Sequence, residues 1–194
     1  MSQQNVVADA PVAQRMTGAA RRDQILAAAR TVFAARGYTA STDEVARAAG
    51  VSQPYVVRLF GSKRELFVET YRQASDQVLT ALRGVQPGPD AGRLMGDAYV
   101  GLLTDRELLL LLMHGFIAGT DEEVGRIARH TLGEAFRLFS EASGADEDEA
   151  RRFVAQGMLI NVLLAVGAAD HTGEDAGMDA LVKCTIEAIE ERNT

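Results

Sequence analysis

Tryptophan is absent from these 194 residues, and cysteine occurs once, at Cys184. A lone cysteine excludes an intrachain disulfide and any cysteine-based zinc cluster. There are 4 prolines, and aromatics make up only 6% of the chain, against 47% hydrophobic and 24% charged residues. That balance excludes collagen-like, disulfide-scaffold and disordered classes and suits a globular chain with a sizeable core. No stretch sustains an alternation of Val, Ile, Thr and aromatics, so strands are not expected. The longest apolar runs, Leu108–Met113 and Val162–Ala169, fall far short of the ~20 residues that span a bilayer. Residues 1–16 hold acidic Asp9 and no apolar stretch before Pro11, so a signal peptide is not expected and a cytoplasmic location is. The three histidines (His114, His130, His171) lack metal-ligand spacing, and neither a Gly-rich phosphate loop nor a nucleophile elbow occurs. No metal, cofactor or enzymatic activity is therefore expected.

Basic charge is in short supply overall, with a net charge of -7, but it is unevenly placed. Residues 1–85 hold 11 Lys+Arg against 7 Asp+Glu, while residues 86–194 hold 9 against 20. A basic front and an acidic back suggest a front that meets an anion.

Helical periodicity is what the chain has in abundance. Residues 1–17 lack it and read as a mobile tail. Ile25, Leu26, Ala29, Val32 and Phe33 then form one apolar face of a helix over 18–36, stopped by Gly37. Ser41-x-x-Glu44 is a capping box for a two-turn second helix ending at Gly50. Ser52 with Pro54 opens a third helix that stops at Gly61, and Ser62-x-x-Glu65 opens a longer fourth. Gln86-Pro87-Gly88-Pro89-Asp90 is the strongest break. Five more helices follow, over 91–103, 105–118, 121–143, 146–170 and 177–193. The middle three have caps at Thr104-x-x-Glu107, Thr120-x-x-Glu123 and Asp146-x-x-Glu149. The class is all-α.

The most informative stretch is Ser41 to Lys63. Two short helices joined through Ala49-Gly50-Val51 fit a helix-turn-helix, whose tight turn needs Gly. The second helix displays Gln53, Tyr55 and Arg58 away from its apolar side. Gln pairs bidentately with adenine, Arg with guanine, and Tyr touches a phosphate or a thymine methyl. Lys63 follows the helix, placed for a phosphate. The alternative is an ordinary helical corner with a solvated polar face.

The wider pattern consists of Ile25-Leu26-Ala27-Ala28-Ala29, Phe33-Ala34-Ala35-Arg36-Gly37-Tyr38, Val45-Ala46-Arg47-Ala48-Ala49-Gly50-Val51-Ser52 and Phe60-Gly61-Ser62-Lys63-Arg64-Glu65-Leu66, covering about 21–67 without a gap. It resembles the DNA-binding domain of the TetR family of transcriptional regulators. The resemblance implies an N-terminal three-helix DNA-reading domain, a C-terminal helical domain for a small effector, and a homodimer. It implies a phosphate contact at Thr42, base contacts from Gln53, Pro54 and Tyr55, and a phosphate contact at Lys63. The chain departs from the family at Val57, where a Tyr is usual, and at Leu59, where a His or Tyr is usual. Two aromatic groups that would hold the DNA backbone are thereby missing, and Arg58, lying between them, is the candidate substitute for one. The expected organisation is tail 1–17, helix-turn-helix domain 18–62, connecting helix 63–85, and effector-binding and dimerisation domain 86–194.

The back half carries no motif. Leu108–Met113 with Phe116 and Ile117 is apolar all round, which predicts a buried central helix. Met95, Tyr99, Met113, Phe116, Phe136, Phe139 and Met158 are candidates to line an apolar cavity, or else plain core. His114 and Asn161 are polar groups set in apolar runs, to be satisfied by a ligand or by a backbone carbonyl. Over 146–170 two apolar stripes occur: Phe153, Gly157, Met158, Asn161, Leu164 and Ala168, and beside them Leu159, Ile160, Leu163 and Val166. With Leu181, Val182, Ile186 and Ile189 they predict a four-helix dimer interface through 146–170 and 177–193 that buries Cys184. The function expected is a ligand-responsive repressor. Its partners are a palindromic double-stranded operator, a small apolar effector and a second copy of the chain. The competing reading is a helical carrier for an apolar molecule.

Overall fold

The computed structural model describes residues 17–190, with side chains as far as Ile186. Among the described residues nine α-helices follow one another: α1 (Gly18–Arg36), α2 (Thr42–Ala48), α3 (Gln53–Phe60), α4 (Lys63–Arg83), α5 (Ala91–Leu103), α6 (Arg106–Ile117), α7 (Glu122–Ser143), α8 (Glu147–Ala165) and α9 (Ala176–Glu190). Single 3-10 turns lie at Gly37–Thr39 and Ala168–His171, and no strand occurs among the described residues. The tail expected over 1–17 lies outside the described residues except for Thr17. That residue caps α1, its hydroxyl accepting from the Ala20 N–H at 3.2 Å.

Ser41 and Asp146 form the reciprocal capping boxes that their spacing predicts. Two other caps move by one residue. Asp105, not Thr104, caps α6, and Asp121, not Thr120, caps α7. A cap needs extended backbone. Thr104 still has helical dihedrals at the end of α5, where its hydroxyl donates to the Gly101 carbonyl at 2.8 Å. Ser52 stands at the start of α3 with no side-chain capping bond.

Buried side chains of α1 to α4 continue without interruption into α5, α6 and α7. The sequence Phe33, Val45, Val56, Phe67, Tyr71, Leu108, Leu111, Val124 and Ile127 traces one core. At its centre the Phe67 ring meets Phe33 and Tyr38 edge-on at 5.0 Å each and stacks with Tyr71 at 6.3 Å. The helix expected to be the buried centre, α6, buries Leu108, Leu109, Leu111 and Leu112, but its last residue Ile117 is 75% exposed.

The charge split has a partner that the sequence hides. Arg30 of α1 pairs with Asp105, and Arg64, Arg72 and Arg83 of α4 pair with Asp121, Glu123 and Glu134 of α7. Four of the eleven basic residues of the front thus face acids of the back half. The anion they meet is the protein itself.

Candidate nucleic-acid interface

The turn between α2 and α3 is built from backbone geometry. Gly50 takes φ +64, where a side chain would be strained. The Val51 N–H then reaches the Ala46 carbonyl at 2.9 Å, and the Gly50 N–H reaches Arg47 at 3.2 Å, the paired bonds of a Schellman end. Gln24 of α1 donates its amide to the Ala49 carbonyl at 3.0 Å and fixes the turn from behind. Val56 and Phe60 turn α3 inward. Arg22 holds its far end, with the guanidinium 4.4 Å from the Phe60 ring centre and bonded to the Leu59 carbonyl at 3.1 Å.

What remains outward is the polar set. Pro54 and Arg58 are exposed, and Gln53 and Tyr55 half-buried. The Gln53 amide donates to the Thr42 hydroxyl at 3.2 Å, which joins the starts of α2 and α3. Arg58 lies over the Tyr55 ring at 5.0 Å. Lys63 donates to the Tyr38 carbonyl at 2.8 Å and sits 4.6 Å from that ring, so its ammonium is already held by the chain. Thr42, Gln53, Tyr55 and Arg58 are brought together on α2 and α3, while Lys63 stands off at the start of α4. The neighbouring carboxylate Glu44 is kept below its usual pKa by the Ser41 N–H and hydroxyl.

An apolar cavity of about 50 Å³ lies between α4 and the back-half helices α5, α6, α7 and α8. Of the residues expected there, Tyr99, Phe116 and Met158 line it. Asn161 is buried beside it and accepts from the Tyr99 hydroxyl at 2.9 Å, so a neighbouring side chain satisfies it. Burial pushes the Tyr99 phenol above its ordinary pKa. The others lie elsewhere. Met95 is sealed in the main core and Met113 packs near Leu109 and Ile160. Phe139 stacks on Phe153 at 4.2 Å, and Phe136 is half-buried on α7 away from the cavity wall. His114 points to the front half, against Gly37, where an added Cβ would stand 2.6 Å from its Nδ1. The residues not foreseen are Phe153, a wall of the cavity, and Gln156 one turn on. Their spacing to buried Ile160 placed both near the inner face of α8.

The α8 stripes divide differently from the pattern. Ile160 and Leu163 pack inside, while Val162, Leu164 and Val166 are exposed. The helix also stops at Ala165, where Arg106 bonds its last carbonyls and Gly167 (φ +65) turns the chain. On α9, Met178, Leu181 and Ile186 are exposed, and so is Cys184. Ile189 lies outside the described side chains.

Residues 25–70 match the family model for bacterial regulatory proteins of the tetR family. Over 64 residues the chain is 42% identical to the HTH-type transcriptional activator FasR of Mycolicibacterium smegmatis. That match covers 32% of this chain and 29% of that protein, so it spans less than a third of the curated relative. A TetR-like transcriptional regulator from Rhodococcus sp. RHA1 superposes with a TM-score of 0.66 at 23% identity, over 91% of this chain and 99% of its own. A TetR family member from Streptomyces coelicolor A3 gives 0.66 at 21%, over 85% and 97%. Residues 25–70 thus carry the N-terminal domain of the tetR family of bacterial regulatory proteins, and the all-helical fold is that of the TetR-like neighbours.

Proposed function

We propose that the protein is a homodimeric DNA-binding repressor, released from its operator by a small, largely apolar effector. The observation that carries this reading is the outer face of α3. A helix held by its turn and its buried side presents Gln53, Pro54, Tyr55 and Arg58, of which Tyr55 also packs against the core. In this docking geometry the first turn of such a helix enters the major groove and reads base edges, while Thr42 and Lys63 meet phosphates. Residues 18–62 act as the reader, 63–85 as the connecting helix and 86–194 as the effector-binding and dimerising body.

Dimerisation is supported by the surface. Of the eight large exposed hydrophobics described, six lie on or just after α8 and on α9: Val162, Leu164, Val166, Met178, Leu181 and Ile186. A patch of this kind is characteristic of an interaction face. Two-fold pairing sets the recognition helices ~34–36 Å apart, or a multiple of that, and calls for a near-palindromic operator. Repression needs only occupancy of that operator. The relative from Mycolicibacterium smegmatis is an activator, but the match covers only 32% of this chain and leaves the direction of control open. No described helix is long and apolar enough to cross a membrane, and the site of action is taken to be the cytoplasm, where the DNA is.

The test is selection of bound sequences from random duplex DNA. The expected result is a near-palindrome whose affinity falls with salt. Absence of binding to every duplex at low salt overturns the reading.

A further inference from the structure

We propose that Phe153 is the gate to an effector site. Behind it the body takes an elongated molecule with an apolar chain and a hydrogen-bond-accepting head, a carboxylate or carbonyl. This deepens the effector reading above and rests on it.

Three voids lie in series along α8. The innermost is the apolar cavity of about 50 Å³. A second of about 30 Å³ lies between α5 and α8, and a third, an open groove of about 740 Å³, reaches the surface near Pro89 and Gly144. Phe153 lines all three. Tyr99 and Gly157 are shared by the inner two, and Gly92 and Gln156 by the outer two.

The partitions are rings seated on glycines. Phe139, stacked on Phe153, lies 3.2 Å from where a Gly92 Cβ would stand, and Tyr99 lies 3.2 Å from that of Gly157. A ring can rotate where a backbone cannot. Turning the Phe153 ring joins the two inner voids, each below the ~300–1,000 Å³ of ordinary ligand sites, to the open groove.

The chemistry differs along this line. The inner end is walled by Val78, Leu82, Leu112 and Phe116 and suits hydrocarbon. At the outer end the Gln156 Nε2 is buried without a hydrogen-bond partner. A buried donor is ordinarily satisfied, and an acceptor on a ligand head would do so. Arg152 lines the same groove, with Asp148 3.3 Å away, while the carboxylate of Glu149 is engaged by the Asp146 N–H in the capping box.

The experiment measures binding without DNA. Decanoate, butyrate and decylamine are titrated calorimetrically into the full chain, and decanoate association is followed by stopped flow. Decanoate binding is expected, with butyrate and decylamine at least about tenfold weaker, and Gln156→Leu should weaken decanoate about tenfold. Phe153→Leu, which keeps an apolar side chain, should speed association. Decylamine binding as tightly as decanoate, an unchanged association rate in Phe153→Leu, or no decanoate binding to the folded wild type would each overturn the proposal. If decanoate binds behind the gate yet leaves operator binding unchanged, the site stands and release by this ligand class fails.

Discussion

Gly115 offers a sharp test of how the front and back halves are joined. It lies buried in α6 with the Tyr71 ring of α4 directly on it. A Cβ added there would stand 1.9 Å from Cε2, 2.2 Å from Cζ and 2.5 Å from Cδ2 of that ring. Carbon atoms rest at about 3.5–4.0 Å, so ring or helix must give by about 1.5 Å. Tyr71 is fully buried and backed by Phe67, so the ring has no open side. Overpacking of this kind costs about 1–3 kcal/mol, and the size of the clash puts it at the upper end. Alanine returns up to about 1 kcal/mol of helix propensity, leaving Gly115→Ala destabilised by about 2 kcal/mol. For a domain of this length that is a fall in Tm of about 4–8 °C. The control is Gly133→Ala on α7, where nothing lies within 4 Å of the new Cβ. It should gain about 0.5–1 kcal/mol. In a Tyr71→Leu background the Gly115→Ala penalty should shrink markedly. A Tm for Gly115→Ala that equals or exceeds the wild type in thermal denaturation refutes the packing argument.

Four further outcomes are expected. Arginines hold Glu123 and Glu134 at a pKa of about 2: Arg126 and then Arg72 for the first, Arg137 and then Arg83 for the second. A carboxylate whose folded pKa lies below its unfolded value contributes stability above the ordinary carboxylate range and loses it as pH falls towards about 2. Tm should therefore be flat from neutral pH to about 5 and fall below it, less steeply in Glu123→Gln or Glu134→Gln, and a wild-type Tm level down to a pH of about 3 contradicts this. Replacing Gln53 or Tyr55 by Ala should cost about 1–3 kcal/mol at particular operator base pairs and little at others, as read by competition binding. Lys63→Ala should weaken all duplexes alike and lower the salt slope by about one, with Tm followed in parallel because Lys63 also holds Tyr38. Val166→Asp or Ile186→Asp should give a folded monomer by sedimentation, whereas Leu163→Asp, at a buried site, should impair folding instead.

The helices and the tight turn between α2 and α3 were legible because their signals are local. A serine three residues before a glutamate, or a glycine where the chain needs positive φ, carries its meaning within one turn. The displaced caps mark the limit of that logic. Thr104 and Asp105, like Thr120 and Asp121, are adjacent cap-formers, and only backbone dihedrals decide between them. The polar groups set in apolar runs fail for another reason. His114 and Asn161 look alike in sequence, yet one meets Gly37 and the other Tyr99, both far away along the chain. Composition named the apolar residues of the body but could not show which neighbours leave a gap. Tyr99 and Met158 line the cavity, while Met95 is sealed in the core. Charge arithmetic likewise yields a sum without partners, which is why the arginines of α4 look available to DNA until their acids on α7 are seen.

On the proposed reading, α6 is the element that relates the cavity to the reader. Leu112 and Phe116 form part of the cavity wall. The same helix touches the front half at both ends. At its start Asp105 pairs with Arg30 of α1, and near its end His114 presses on Gly37, the residue that closes α1. Gly37 has φ +60 and no room for a side chain, so this contact transmits displacement instead of absorbing it. The Tyr71–Gly115 contact adds a third point, from α4. A ligand that widens the cavity must move α6 or α7. The pairs Arg64–Asp121, Arg72–Glu123 and Arg83–Glu134 tie α7 to α4, whereas α6 is the wall that contacts α1 and its closing residue, so movement reaches the front half through α6. Movement of α6 then tilts α1, and with it the turn that Gln24 holds from behind. Switching the reader from almost wholly bound to almost wholly free requires about 5.5 kcal/mol of differential affinity. A ligand chain can supply this at about 0.8 kcal/mol per CH₂ if roughly seven such groups are buried in the released conformation and not in the DNA-bound one. A molecule confined to the inner cavity alone is too short for that, so switching requires the longer path past Phe153.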